Sequence, residues 1–217
     1  KPRARDEFIR LFNHGALIIT YLGHGNPTVL AHESMFLISR DLSAIKNGGR
    51  LPFFYTAASQ VGVFDDPVRI SMPEALLKKT NGGVIGMISA TRVGFHNSNI
   101  VLANQFHEQM YRSERQHVPV GLALMEAKQL VLPLFNSTDL AFRNMQRYSL
   151  FGDPATRLAV PLFQVQLSVD DSLNALGEVA VTGQVLDPAG VPVTDYQGQV
   201  WLQAFDSSER SRLEGFN

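Results

Sequence analysis

The chain has 217 residues, of which 45% are hydrophobic and 18% are charged, so it can bury a substantial core. Its formal net charge of −1 gives no long-range attraction to nucleic acids or to anionic membranes. The lack of cysteine excludes a disulfide, a thiolate metal site and a thiol nucleophile within this sequence. No apolar run approaches the roughly 18 residues that a membrane-spanning helix needs. The composition therefore indicates a globular protein.

Apolar segments alternate with helical patterns through the first part of the chain. Apolar residues at helical spacing predict a helix over 6–13, and the continuous apolar run 16–22 predicts a strand buried on both faces. Two further buried strands are predicted, over 51–57 and 84–90. The remaining predicted helices are 40–45, 72–80, 98–113 and 117–132. Strands that alternate with helices indicate an α/β domain with a largely parallel sheet.

The pattern changes after residue 161. Segments 163–169, 177–187 and 198–206 show the apolar–polar alternation typical of antiparallel strands, with turn residues between them. Residues 1–161 are therefore interpreted as one domain and residues 162–217 as the start of a β-sandwich. A complete sandwich of the immunoglobulin type needs about 100 residues, so we expect this second domain to be partial.

Two loops at the carboxyl ends of predicted parallel strands carry residue types suited to catalysis. His24 lies between Gly23 and Gly25 after the first strand, and Ser59 follows the second strand, with Gly62 allowing a sharp turn. Open α/β sheets place their sites at such strand ends, so a base at His24 would face a nucleophile at Ser59. The amides of Gly25 and Ser59 would hold the oxyanion. The simpler interpretations are an incidental histidine in a tight turn and a serine that caps a turn.

Other polar residues have weaker claims to a role. His32-Glu33 would line the cleft in one interpretation, but the start of a surface helix is favoured. Asp65 and Asp66 suit a turn better than a cation site. Arg92, at the end of the third strand, would meet a carboxylate in the cleft or form an ordinary salt bridge. No glycine-rich phosphate loop or dinucleotide fingerprint follows a predicted strand, which excludes a nucleotide-binding α/β protein.

Several segments, in collinear order, resemble the gingipain-type cysteine peptidases, which have a caspase-like fold. The similarity is greatest to the sortase-like signal peptidase of the type IX secretion system, in which a Leu-Phe-Gly-Asp-Pro segment precedes an immunoglobulin-like domain. This resemblance implies a three-layer caspase-like sandwich with a mostly parallel sheet, then the start of an immunoglobulin-like domain at 162–217. The segments that carry it are 21–33 (YLGHGNPTVLAHE), 51–67, 72–92, 98–111 and 150–161.

The resemblance implies that His24 is the catalytic base. In the family, the nucleophilic cysteine lies five residues before the phenylalanine of a Phe-Asp pair, and counting back from Phe64 leads to Ser59. An engineered Cys→Ser exchange and a natural pseudo-peptidase explain Ser59 equally well. A working serine enzyme is less favoured, because a hydroxyl needs stronger general-base help than a thiolate. The resemblance thus implies an endopeptidase that cleaves exported proteins or, as the alternative, a non-catalytic surface protein that binds peptides or acts as a scaffold.

Partners and location also follow from the resemblance. The implied substrate is a protein or peptide, other secretion-system components are candidate partners, and the implied location is the outer surface of a Gram-negative bacterium or the extracellular space. No cofactor is expected; calcium stabilises family members, but no residue here is assigned as its ligand. Because further strands precede the histidine strand in a caspase-like fold, we expect the chain to be part of a longer peptidase domain. Its exposed strand edge would then promote aggregation.

Overall fold

The computed structural model describes residues 2–112, 117–134, 139–161, 163–169, 180–200 and 202. It divides into two compact units, with the boundary between residues 162 and 163. The helices of the first unit are α1 (Pro2–His14), α2 (Ile38–Asp41), α3 (Met72–Leu77), α4 (His96–Met110), α5 (Val120–Val131) and α6 (Asp139–Arg147). Its strands are β1 (Ile18–Leu22), β2 (Val29–Leu30), β3 (Phe36–Leu37), β4 (Phe53–Ala57), β5 (Gly86–Ala90) and β6 (Tyr148–Gly152).

A four-stranded sheet in the order β1-β4-β5-β6 forms the centre of the first unit. β1 pairs with β4 and β4 pairs with β5 in parallel, whereas β6 runs antiparallel beside β5. Every residue of β4 and β5 is buried, as their continuous apolar sequences predict. The predicted α/β architecture with a largely parallel sheet is therefore confirmed.

The prediction that the first strand is buried on both faces is wrong. β1 lies at an edge of the described sheet, where β4 is its partner. Leu22 is 50% exposed, and the Thr20 side chain is also exposed. An apolar run predicts a strand, but it cannot distinguish a central strand from an edge strand, which has a neighbour on one side only.

Helices cover both faces of the sheet, and the alternation of side chains along β4 separates two hydrophobic clusters. Phe53 and Tyr55 point to one face, where they pack with residues of α4 and α5. Phe54 points to the other face and packs with residues of α1 and α3; its ring lies 5.6 Å from that of Phe12. This arrangement has three layers, with the sheet in the middle.

Four elements of the first unit have no counterpart among the predicted ones. β2 and β3 form a small antiparallel pair that follows the β1 loop. α6 and β6 occupy a stretch for which the sequence predicts no element, and β6 completes the sheet beside β5. None of the helices in the described ranges is both long and apolar enough to cross a membrane.

The second unit contains an antiparallel pair of strands, β7 (Gln164–Ser168) and β8 (Thr182–Leu186). Both strands lie in segments whose alternation predicts them. Val165 and Leu167 point to the same face and are each 48% exposed. The predicted third strand, 198–206, falls largely outside the described residues, so the β-sandwich stays a prediction.

Candidate active site

The loops after β1 and β4 begin side by side at the carboxyl edge of the sheet. Leu22 is paired with Ala57 at the ends of these strands, and the Gly23 amide donates a hydrogen bond of 3.4 Å to the Ala57 carbonyl. His24 and Ser59 therefore follow neighbouring parallel strands, as in the sites of open α/β sheets. Their catalytic roles stay predictions.

Gly25 lies where the two loops approach each other. A Cβ atom at this position would lie 2.6 Å from Cγ2 of Val61, 3.3 Å from Cβ of Ala58 and 3.4 Å from the carbonyl oxygen of Val29. These distances leave no room for a side chain. The glycine beside the predicted base is therefore required by close packing between the loops.

His24 is exposed, and its loop is held through its backbone. The carbonyl oxygen of His24 accepts a hydrogen bond of 2.7 Å from the Tyr21 hydroxyl and one of 2.8 Å from the Ala31 amide. Its imidazole lies close to that of His32, with ring centroids 4.8 Å apart and planes tilted by 44°. The structure thus brings two histidines together on this side of the cleft.

Residues 31–34 form the turn between β2 and β3, and the prediction that a surface helix begins at His32-Glu33 is wrong. Ala31 and Ser34 have φ angles of 62° and 52°, which a right-handed helix does not allow. The Ser34 amide donates a hydrogen bond of 3.1 Å to the Ala31 carbonyl. This turn returns the chain across the first loop and places His32 against His24.

A cavity of about 290 Å³ opens beside the two histidines. It is lined by residues 24–26, Val29, Ala31, His32 and Ser34, so His32 lines the cleft as one interpretation of the sequence expects. Ser59 is not among the lining residues. A larger depression, of about 390 Å³, lies on β7 and β8 of the second unit and includes none of the predicted site residues.

The Ser59 hydroxyl is hydrogen-bonded to the loop after β5. Its Oγ accepts a hydrogen bond of 3.0 Å from the Gly94 amide, and it donates a longer one, of 3.4 Å, to the Gly94 carbonyl. These contacts match the turn-stabilising role that the sequence also allows for this serine. To act as a nucleophile, the hydroxyl would have to give up the hydrogen bond that it donates to the Gly94 carbonyl, because its proton must pass to the base.

Residues 59–62 form the turn after Ser59, so Gly62 lies in it as predicted, but the left-handed residue of the turn is Gln60, whose φ is 60°. The Gln60 amide donates a hydrogen bond of 3.2 Å to the Arg92 carbonyl, which fixes the turn against the loop after β5. Gly62 is needed for a different reason. A Cβ atom there would lie 2.8 Å from the ring of Phe151.

Charged residues close to these loops are paired with one another. Arg92 donates hydrogen bonds of 2.5 and 3.1 Å to the Asp65 carboxylate, and this pairing lowers the pKa of Asp65. The Asp66 carboxylate accepts the Val68 amide at 2.9 Å and Arg69 Nε at 2.8 Å, which lowers its pKa as well. Arg92 thus forms a salt bridge and Asp66 stabilises a turn, in agreement with the simpler interpretations.

Two residues that the sequence did not single out shape this region, Gln60 and Gly94. Neither belongs to a residue type that is typical of catalysis. The sequence could have indicated Gly94 only through its position. Gly94 follows the third parallel strand and so lies at the same edge of the sheet as the other two loops. In the described part of the chain, no group of three or more histidine, aspartate or glutamate residues is placed to hold a metal ion.

Residues 1–159 match peptidase family C25. The chain belongs to this family of cysteine peptidases. The sequence itself contains no cysteine. No curated protein matches the chain.

Solved structures of gingipains have the same fold as the C25 chain. The crystal structure of the Arg-specific cysteine proteinase gingipain R (RgpB) is 19% identical, with a TM-score of 0.63 over 88% of this chain and 48% of that one. A complex of the pro- and mature domains of Porphyromonas gingivalis RgpB is 21% identical, with a TM-score of 0.60 over 83% and 44% of the two chains. The chain therefore spans about half the length of these structures. The likeness establishes a caspase-like α/β fold.

Proposed function

We propose that this chain belongs to a gingipain-like endopeptidase that serves the type IX secretion system as a sortase or signal peptidase. Its substrates are exported polypeptides, and it works at the outer surface of a Gram-negative bacterium or outside the cell. The observation that carries the proposal is the register of β1 and β4. The chain belongs to family C25, and the paired ends of these two strands lead into the loops that carry His24 and Ser59.

In the proposed reaction, position 59 supplies the nucleophile and His24 the general base. His24 accepts the proton of the nucleophile as it attacks the peptide carbonyl, and later donates that proton to the leaving amine. The amides of Gly25 and Ser59 stabilise the oxyanion that forms. The acyl group then passes to water in hydrolysis, or to an amine acceptor in the sortase reaction.

With serine at position 59, we expect little or no turnover. A serine hydroxyl has to lose its proton as it attacks, whereas a cysteine beside a base is already partly thiolate. The hydroxyl must also give up the hydrogen bond of 3.4 Å that it donates to the Gly94 carbonyl.

The contact between Ser59 and Gly94 also favours a second candidate function. A serine that holds two loops together contributes to the shape of the cleft without any chemistry. In this alternative, the chain is a non-catalytic member of the family that binds peptides or acts as a scaffold for other secretion-system components at the cell surface.

The second unit is proposed to begin an immunoglobulin-like domain. Support comes from the antiparallel pairing of β7 with β8 and from the alternation of apolar residues along β7. The apolar face that contains Val165 and Leu167 is the kind of surface that a second sheet covers in a β-sandwich.

The experiment that tests these proposals restores cysteine at the predicted nucleophile position. Ser59→Cys is compared with the parent protein, with the double variant His24→Ala/Ser59→Cys and with Ser39→Cys, which places a cysteine on the exposed side of α2. Each protein is treated with an electrophilic peptide probe and assayed for peptide cleavage. We expect rapid labelling and cleavage only in Ser59→Cys with His24 intact.

The Ser39→Cys control separates activation by His24 from the ordinary reactivity of an exposed thiol. If Ser59→Cys labels no faster than Ser39→Cys, or if removal of His24 leaves the labelling rate unchanged, the peptidase proposal fails. The non-catalytic candidate is then tested by direct binding of unmodified peptides to the parent protein.

A further inference from the structure

We infer that His24 and His32 together form a binding site for a divalent transition-metal ion, for which Zn²⁺ is the appropriate probe. This inference goes beyond the proposed peptidase function, because it assigns a role to His32 and needs no nucleophile at position 59. It also differs from a conventional closed zinc site, since the protein supplies two ligands and water supplies the rest.

The separation of the two imidazole rings fits one shared ion. When two histidines bind a tetrahedral zinc ion through nitrogens at about 2.0–2.1 Å, their ring centroids lie about 5 Å apart. The centroids of His24 and His32 are 4.8 Å apart. Both side chains are exposed, so they are free to rotate and turn a nitrogen of each ring towards one ion.

The backbone holds both histidines near this position before an ion binds. The His24 carbonyl is anchored by the Tyr21 hydroxyl and by the Ala31 amide, which directly precedes His32. Asn26 Oδ1 accepts hydrogen bonds of 2.9 and 3.0 Å from the amides of Thr28 and Val29 and so fixes the first loop. A ligand pair that is already positioned loses less conformational entropy on binding.

The charged groups beside the turn are Glu33 and Arg40, whose guanidinium donates a hydrogen bond of 2.6 Å to the Ser34 carbonyl. The lining of the 290 Å³ cavity beside the pair includes no lysine or arginine. Glu33 follows His32 in the turn. Histidine nitrogens are suitable ligands for Zn²⁺, Cu²⁺ and Ni²⁺.

An ion at this site would have a direct consequence for His24. A nitrogen that is bound to a metal has no lone pair with which to accept a proton. Metal binding and general-base catalysis by His24 therefore exclude each other when they use the same nitrogen. If the peptidase proposal is correct, the ion is an inhibitor; if it is wrong, the binding site remains.

The test is a calorimetric titration of the 217-residue protein with Zn²⁺, together with electron paramagnetic resonance of the Cu²⁺-loaded protein. We expect His24→Ala and His32→Ala each to weaken Zn²⁺ binding by about tenfold or more, since even the loss of an outer-shell partner costs about that much. The matched control is His14→Ala, which removes an exposed histidine at the end of α1 and should not change the affinity. The copper spectrum should show two coupled nitrogens in the parent protein and one in His32→Ala.

Several outcomes would overturn the inference. The pair is only a packing contact if His32→Ala binds Zn²⁺ as tightly as the parent, or if His14→Ala weakens binding as much as His32→Ala does. The pair is likewise only a packing contact if the copper spectrum of the parent protein shows a single coupled nitrogen. His32→Gln is a second variant that keeps a polar side chain in the turn, and its unfolding midpoint should match that of the parent while its zinc affinity falls.

Discussion

Replacing Gly25 with alanine would place a methyl group between the two loops of the candidate site. The new Cβ would lie 2.6 Å from Cγ2 of Val61 and 3.3 Å from Cβ of Ala58, and both of these residues are fully buried. Val61 is β-branched and has few alternative rotamers, so one of the loops must move. Overpacking of this kind costs about 1–3 kcal/mol of folding free energy.

The assay is urea unfolding, with thermal unfolding as a second measurement. In a unit of about 160 residues, each kcal/mol lowers the melting temperature by about 2–4 °C, so we expect a decrease of about 2–12 °C for Gly25→Ala. The matched control is Gly49→Ala, whose Cβ would have no atom within 4 Å. That substitution should be neutral, or stabilising by up to about 1 kcal/mol.

A double-mutant cycle with Val61→Ala tests the cause of the effect. Val61→Ala alone should cost about 2 kcal/mol, because it leaves a cavity in a buried position. In the double variant, the methyl group of residue 25 occupies part of that cavity, so the combined loss should be smaller than the sum by about 1 kcal/mol or more. Strict additivity, or equal effects of Gly25→Ala and Gly49→Ala, would refute the loop-contact explanation.

Two further predictions concern the scaffold. The buried side chain of Asn47 donates to the Gly83 carbonyl and accepts from the Gly83 amide, each at 2.8 Å, so Asn47→Ala should cost about 2–4 kcal/mol in urea unfolding. A loss below about 1 kcal/mol would contradict this. Burial raises the pKa of Asp41, but hydrogen bonds led by that of Arg40 outweigh it and lower the pKa from 3.8 to about 2. The charged form therefore stabilises the fold above about pH 4, and this contribution is lost as the pH falls towards 2. Asp41→Asn should remove this pH dependence of the free energy of unfolding. If that free energy changes equally with pH between 4 and 2 in the parent and the variant, the explanation is wrong.

The central part of the fold could be predicted from the sequence because its signals are local. Strands β4 and β5 are continuous apolar runs, and α4 and α5 have clear helical periodicity. Their alternation predicts parallel pairing, and parallel pairing places the loops of His24 and Ser59 at one edge of the sheet. That step needed no knowledge of tertiary contacts.

The remaining features depend on contacts between distant residues. The Ser59 hydroxyl is hydrogen-bonded to Gly94, 35 positions away in the sequence, and no pattern near Ser59 indicates that partner. The polar residues of the turn at 31–34 suit a helix start equally well, so the sequence does not distinguish the two structures. The edge position of β1 depends on which strands pair with it, and an apolar run contains no information about that order.

The contact between Gly25, Ala58 and Val61 also limits how this cleft can evolve. The backbone of Gly25 and the side chains of Ala58 and Val61 share one small volume, so a larger residue at one position requires a smaller residue at another. Position 59 is free of that restriction, because its Oγ faces the Gly94 amide in a different loop. An exchange of oxygen for sulfur there needs no compensating change among the other three. Within this architecture, one substitution at position 59 can therefore remove or restore a thiol without a change at Gly25, Ala58 or Val61.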